Sequence, residues 1–130
     1  MIVSVGVDMV EVGRIQKALE DRATGKRFRD RVYTPEEIRY CERKKGRGKY
    51  ESYAGRFAAK EAVMKALGRG WSGKVSWLNI EVVRAKSGKP EIALHNETAE
   101  LGQEQRIRRF ALSMTHTKDH ALAYVIATDD

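Results

Sequence analysis

The chain opens on Ile2-Val3-Ser4-Val5-Gly6-Val7-Asp8, where β-branched residues alternate with small or polar ones. That β-branched run predicts a short strand over residues 2–8. Val10, Val12 and Ile15 follow among charges, so the strand is expected to pass into a helix that ends near Thr24-Gly25. Thr34-Pro35-Glu36-Glu37 offers an N-cap, a proline at the first helical position and a glutamate able to close a capping box. It predicts a helix over 35–43. A glycine-broken cationic loop, Lys44-Lys45-Gly46-Arg47-Gly48-Lys49, leads to the clearest helix, residues 52–67, stopped by Gly68. Residues 75–85 read as extended, 86–90 as a turn and 91–94 as a strand, which together make a β-hairpin. Asn96 is placed to cap a short helix through 105, and strands 106–115 and 120–128 are joined through Thr117-Lys118-Asp119. Helices and strands mixed without a regular βαβ rhythm predict an α+β fold.

A length of 130 residues suits one core, so residues 1–130 are expected to form a single domain. No repeat, long linker or low-complexity tract interrupts them. Lys and Arg number 25 against 18 Asp and Glu, giving +7 at neutral pH. Such a surplus favours an anionic partner of some kind: nucleic acid, an acidic membrane, a phosphate-rich cofactor or an acidic protein. The lone Cys41 cannot form an internal disulfide, which fits a reducing, cytoplasmic setting. The first residues carry Asp8 and Glu11, unlike a signal peptide, and nothing approaches the roughly 20 apolar residues of a membrane span.

Several strings invite chemistry. Gly68-Arg69-Gly70-Trp71-Ser72-Gly73 has the dinucleotide-binding spacing, but it follows a helix and precedes a strand, the reverse of what that mechanism needs. It reads as a helix cap and a flexible loop. His116 and His120 have a zinc-like spacing with too few soft companions, and Ser113 lacks a glycine-flanked elbow. A ligand contact suits His116 better, the plainer reading being a strand-end histidine satisfied by its neighbours. On the 52–67 helix, Phe57, Glu61 and Lys65 stand at i, i+4 and i+8 and share one face. An ordinary Glu-to-Lys helix pair meets that spacing, as does a carboxylate and an ammonium aimed into one cleft. Asp8, at the end of the opening strand, is either a turn-forming residue or a second site carboxylate. Asp8 and Glu61 together would suffice for one Mg²⁺, which takes one or two protein carboxylates and fills its other positions with water and phosphate oxygens.

Taken in order, Gly6-Val7-Asp8 with Arg14-Ile15, Tyr33-Thr34-Pro35-Glu36-Glu37, the run Arg56-Phe57-Ala58-Ala59-Lys60-Glu61-Ala62-Val63-Met64-Lys65-Ala66-Leu67-Gly68, and Ser113-Met114-Thr115-His116 resemble the holo-acyl-carrier-protein synthases, the small 4′-phosphopantetheinyl transferases. The likeness spans nearly the whole chain. It implies a mostly antiparallel sheet packed against a long central helix. It also implies transfer of 4′-phosphopantetheine from coenzyme A to a serine of apo-acyl carrier protein, a step of fatty acid biosynthesis that leaves adenosine 3′,5′-bisphosphate. By the same resemblance Asp8 and Glu61 would bind Mg²⁺ and Lys65 the phosphates, while Arg56 and His116 would contact coenzyme A. Arg14, Arg27, Phe28 and Arg31 would meet the carrier protein, and the subunits would form a homotrimer with the site between them. Thr115 stands where many members have serine, and the stretch 20–25 is variable, which leaves Arg22 and Lys26 open as further carrier contacts.

On this reading catalysis is positioning plus neutralisation of phosphate charge, with a Mg²⁺-ordered water held by Glu61 or Asp8 taking the serine proton. Two other classes compete. A nucleic-acid-binding module would use Tyr33, Tyr40, Tyr50 and Tyr53 as stacking platforms among the basic residues, although no nucleic-acid motif is present. A non-catalytic scaffold for an acidic partner would need no paired carboxylates.

Overall fold

The computed structural model describes residues Met1–Asp130. Strand β1 (Ile2–Glu11) runs into helices α1 (Val12–Glu20), α2 (Gly25–Val32), α3 (Pro35–Glu42) and the long α4 (Arg47–Leu67). A 3₁₀ turn at Trp77–Asn79 leads to the hairpin of β2 (Ile80–Arg84) and β3 (Pro90–Leu94). Helix α5 (Asn96–Glu104) and strands β4 (Arg109–His116) and β5 (His120–Thr128) complete the chain. All strand pairs are antiparallel: one sheet has the order β1-β5-β4, the other is β2-β3. This is the α+β fold, with α4 laid across β1 and β5. No helix is long and apolar enough to cross a membrane.

The helix α4 lies so near the sheet because small residues meet there. Ala54, Ala58, Ala59, Ala62 and Ala66 face the buried Ala121, Ala123 and Ala127 of β5. At Gly6 a Cβ would come within 1.9 Å of the Ala62 carbonyl oxygen, so only glycine lets β1 rest on the helix backbone. One buried ion pair then ties α4 to the helical side. Lys60 Nζ sits 2.7 Å from Glu37 Oε1 and donates to the carbonyls of Val32 at 2.6 Å and Trp77 at 3.0 Å. Glu37 also accepts from the backbone N–H groups of Thr34 and Val82, each at 2.8 Å. Burial lowers the Lys60 ammonium pKa, and the Glu37 charge opposes that drift.

Six local expectations need correction. β1 continues to Glu11 because Met9, Val10 and Glu11 pair with Leu122, Ala121 and His120, so Asp8 sits inside the strand and not at its end. The basic stretch after Gly25 is itself helical, as α2. α4 starts at Arg47, since Gly46 at φ 59° breaks the chain there and the end of the cationic stretch becomes the first helical turn. Trp77–Asn79 is a 3₁₀ turn, which points the Trp77 carbonyl at Lys60 and stacks its ring on Phe57 at 5.0 Å. Asn96 is no side-chain cap: it stands at φ 53° and its amide donates to Asn79 Oδ1 at 3.0 Å. β4 likewise begins only at Arg109, because Arg106 at φ 62° turns the chain so that Ile107 N–H closes on the Gly102 carbonyl.

Removing one partner of the buried pair strands the other. Lys60→Met is expected to cost about 3–5 kcal/mol, read as a fall in the urea midpoint. Glu37→Leu added to it should not restore stability, because the Thr34 and Val82 N–H groups lose their acceptor.

Candidate active site

From Ser52 onward α4 is buried on every side except along Phe57, Glu61 and Lys65. That stripe looks onto the inner side of β1, where Asp8 alternates with the buried Gly6 and Val10. Lys65 Nζ contacts Asp8 Oδ1 at 3.1 Å and donates to the Val7 carbonyl at 3.0 Å. The Lys65 side chain is 56% exposed and that of Asp8 16%, so the pair borders solvent. Glu61, one turn before Lys65, has its carboxyl pKa raised by burial and then by the Asp8 charge, with Lys65 and Arg14 opposing. β1, α1 and α4 thus bring two carboxylates and two cations to one place. No three His, Cys, Asp or Glu side chains converge on a common point.

Arg56 leaves α4 in another direction. Five residues before Glu61, it points to a different side of the helix. It is 4% exposed, its Nε has no hydrogen-bond partner, and its guanidinium lies 4.1 Å from the centroid of the Tyr40 ring. A cavity of about 170 Å³ is lined by Arg56, Tyr40, Lys44, Arg84, Glu51 and His116 among others, and by none of Asp8, Glu61 and Lys65. His116 ends β4, with Nδ1 3.7 Å from Glu51 Oε2. Burial pushes the Tyr40 phenol up, but Lys44, Arg84 and Arg56 outweigh it and leave its pKa below the ordinary value.

A third surface lies along α1 and α2. Arg14, Lys17, Arg27, Phe28 and Arg31 line one groove of about 470 Å³, with Asp21 the acid in it. Neither Arg22 nor Lys26 lines it. Phe28 is half-buried and packs on Phe57 and Tyr33, each with ring centroids 6.3 Å away. Arg14 belongs to this groove and also acts on Glu61, which links the groove to the carboxylates.

The chain belongs to the 4′-phosphopantetheinyl transferase superfamily, whose family model matches residues 4–125. Two curated relatives are named holo-[acyl-carrier-protein] synthase. That of Solibacter usitatus is 48% identical, over 97% of this chain and 98% of its own. That of Koribacter versatilis is 45% identical, over 99% of this chain and 100% of its own. Among solved structures, the holo-[acyl-carrier-protein] synthase of Neisseria meningitidis superposes with a TM-score of 0.85 at 38% identity, covering 98% of this chain and 99% of that one. A Bacillus anthracis holo-(acyl-carrier-protein) synthase in complex with CoA (3′,5′-ADP) gives 0.79 at 36%, covering 98% and 96%.

Sequence reasoning did not single out Arg84, Glu51 or Lys17 as site residues, and it considered Tyr40 only as a nucleic-acid stacking platform. Only Lys17 carried a signal, its spacing of one turn from Arg14.

Because the folded chain raises the Glu61 pKa, it holds that proton more tightly than the unfolded chain does. This share of stability is present in acid and is lost as pH rises from the ordinary 4.5 through the raised value. Glu61→Gln, which stays neutral, is expected to melt above the wild type near neutral pH, with the gap closing by about pH 4 in thermal scans.

Proposed function

We propose that this chain transfers 4′-phosphopantetheine from coenzyme A to a serine of apo-acyl carrier protein, giving the holo-carrier and adenosine 3′,5′-bisphosphate. The observation that carries the reading is the meeting of Asp8, Glu61 and Lys65 on the one unburied stripe of α4, in a chain of this family. The serine oxygen bonds to the phosphorus that carries pantetheine, the bridging P–O bond breaks, and the serine proton is released.

The Asp8–Glu61 pair fits Mg²⁺. It presses two like charges together in a half-buried place, and no third protein ligand converges, which leaves room for water and phosphate oxygens. Bound there, Mg²⁺ would supply positive charge beside the diphosphate. Lys65, now anchored on Asp8, would swing onto a phosphate oxygen and offset charge on the leaving group. Glu61 or Asp8 would also hold the water that takes up the serine proton.

Coenzyme A has a second anionic group, the 3′-phosphate. The cavity of Arg56, His116, Lys44 and Arg84 suits it: a buried guanidinium without an acceptor there is poised for a phosphate. This cavity opens on a different side of α4 from the carboxylates, so one coenzyme A would reach both sets most readily across two copies of the chain. The outer face of β1 supports such assembly. Val3, Val5, Val7 and Met9 are 40%, 48%, 45% and 61% exposed, and Tyr124 of β5 adds to the same apolar patch. A homotrimer with its sites between subunits accords with these features. A cytoplasmic setting belongs to the same reading, with the buried thiol of Cys41 pushed up to about 12 by burial and left inert.

Incubation with coenzyme A, Mg²⁺ and an apo-carrier protein should add one phosphopantetheine to the carrier by mass spectrometry. Glu61→Gln should slow the gain by on the order of 10²-fold or more while remaining folded. No gain with any carrier would overturn the reading.

The groove of Arg14, Lys17, Arg27 and Arg31 suits the acidic face of the carrier. Arg27→Glu with Arg31→Glu is expected to raise KM for the carrier about tenfold, roughly 1.4 kcal/mol. KM for coenzyme A should hold, and the dependence on salt should flatten.

A further inference from the structure

We infer that Tyr40 is a positioning residue that holds Arg56 and Arg84 together to receive the phosphate monoester of the substrate. The inference rests on the transferase reading above and deepens it. Two guanidinium groups placed side by side repel, and each would rather turn to water or a carboxylate. Here both lie over one ring: Arg56 is 4.1 Å and Arg84 4.6 Å from the Tyr40 centroid, and the ring's π face offsets the repulsion. Lys44, one turn further along, adds a third cation at 5.2 Å.

The stack is reinforced at the hydroxyl, where Arg84 Nη1 donates to Tyr40 Oη at 2.8 Å. The ring comes from α3, Arg56 from α4 and Arg84 from the end of β2, so one aromatic side chain gathers three elements. Arg56 makes no ion pair, and its buried Nε has no acceptor. The carboxylates nearby are engaged elsewhere: Glu37 with Lys60, Glu81 with His95 and Thr34, and Glu51 beside His116. The guanidinium is thus held by a π face, which supports its charge without supplying a counter-ion and leaves its N–H donors for a ligand.

The test compares coenzyme A with 3′-dephospho-coenzyme A, which lacks the monoester. Tyr40→Leu is expected to raise KM for coenzyme A about tenfold with kcat changing less than about twofold, since the reacting diphosphate lies at another cluster. For 3′-dephospho-coenzyme A, whose KM with the wild type is expected to exceed that for coenzyme A, the variant and the wild type should agree. Tyr40→Phe keeps the ring and loses only the Arg84 bond, so its KM for coenzyme A should rise less than that of Tyr40→Leu, within about fivefold. This second variant keeps the side-chain volume, and if the first does not fold, a Tyr40→Phe rise above fivefold, or one equal for both substrates, overturns the assignment. Equal KM values for coenzyme A in wild type and Tyr40→Leu would overturn the assignment, as would an equal loss with both substrates, or a Tyr40→Phe variant as weak as Tyr40→Leu. Absence of transfer by the wild type would instead count against the transferase reading itself.

Discussion

The fold hangs on the Lys60–Glu37 pair, because it is the one contact in which α2, α3, α4, the 3₁₀ turn and β2 all take part. An ammonium has three hydrogens, and each has an acceptor: one carboxylate, the carbonyl of Val32 at the end of α2, and the carbonyl of Trp77, which also accepts from the Ile80 N–H. The carboxylate in turn closes the α3 capping box and receives a strand N–H. Burial of charge on this scale adds little to stability in itself. What it fixes is orientation, since no other rotation of α4 satisfies the buried ammonium.

Rotation is what the site requires. With Lys60 turned inward and Gly6 pressed on the Ala62 carbonyl, the adjacent Glu61 is forced to the rim, and Lys65 follows it one turn on. The same constraint sends Arg56 under the Tyr40 ring. A helix that is apolar on almost every side presents its few charges only where packing allows, so the positions of Glu61 and Arg56 are consequences of the core.

Much of this was legible in the chain. The capping box at Thr34, the stop at Gly68 and the stripe of Phe57, Glu61 and Lys65 depend on neighbours within a few residues, and local spacing is enough to read them. The partners of Lys60 are not local. They are two backbone carbonyls and a glutamate whose visible duty was capping, so Lys60 reads from sequence as one more surface charge on a helix. The Tyr40 stack was hidden for the same reason, its arginines lying on two different elements. The end of β1 was misplaced because Asp8 and Glu11 look like turn residues until β5 offers them a ladder.

β1 has two faces of opposite character. Its inner side brings Asp8 toward Lys65 and Glu61, while Val7 and Met9, its immediate neighbours, turn to the outer side with Val3 and Val5. A strand with one face in the site and the other apolar and exposed couples the two: a copy seated on that outer face would shield Val7 and Met9 and thereby stiffen the strand that carries Asp8. Arg56 and its cavity lie on a different side of the same α4, and none of Asp8, Glu61 and Lys65 lines that cavity. Covering the apolar strand by a second copy would therefore act directly on the strand that positions Asp8 against Lys65.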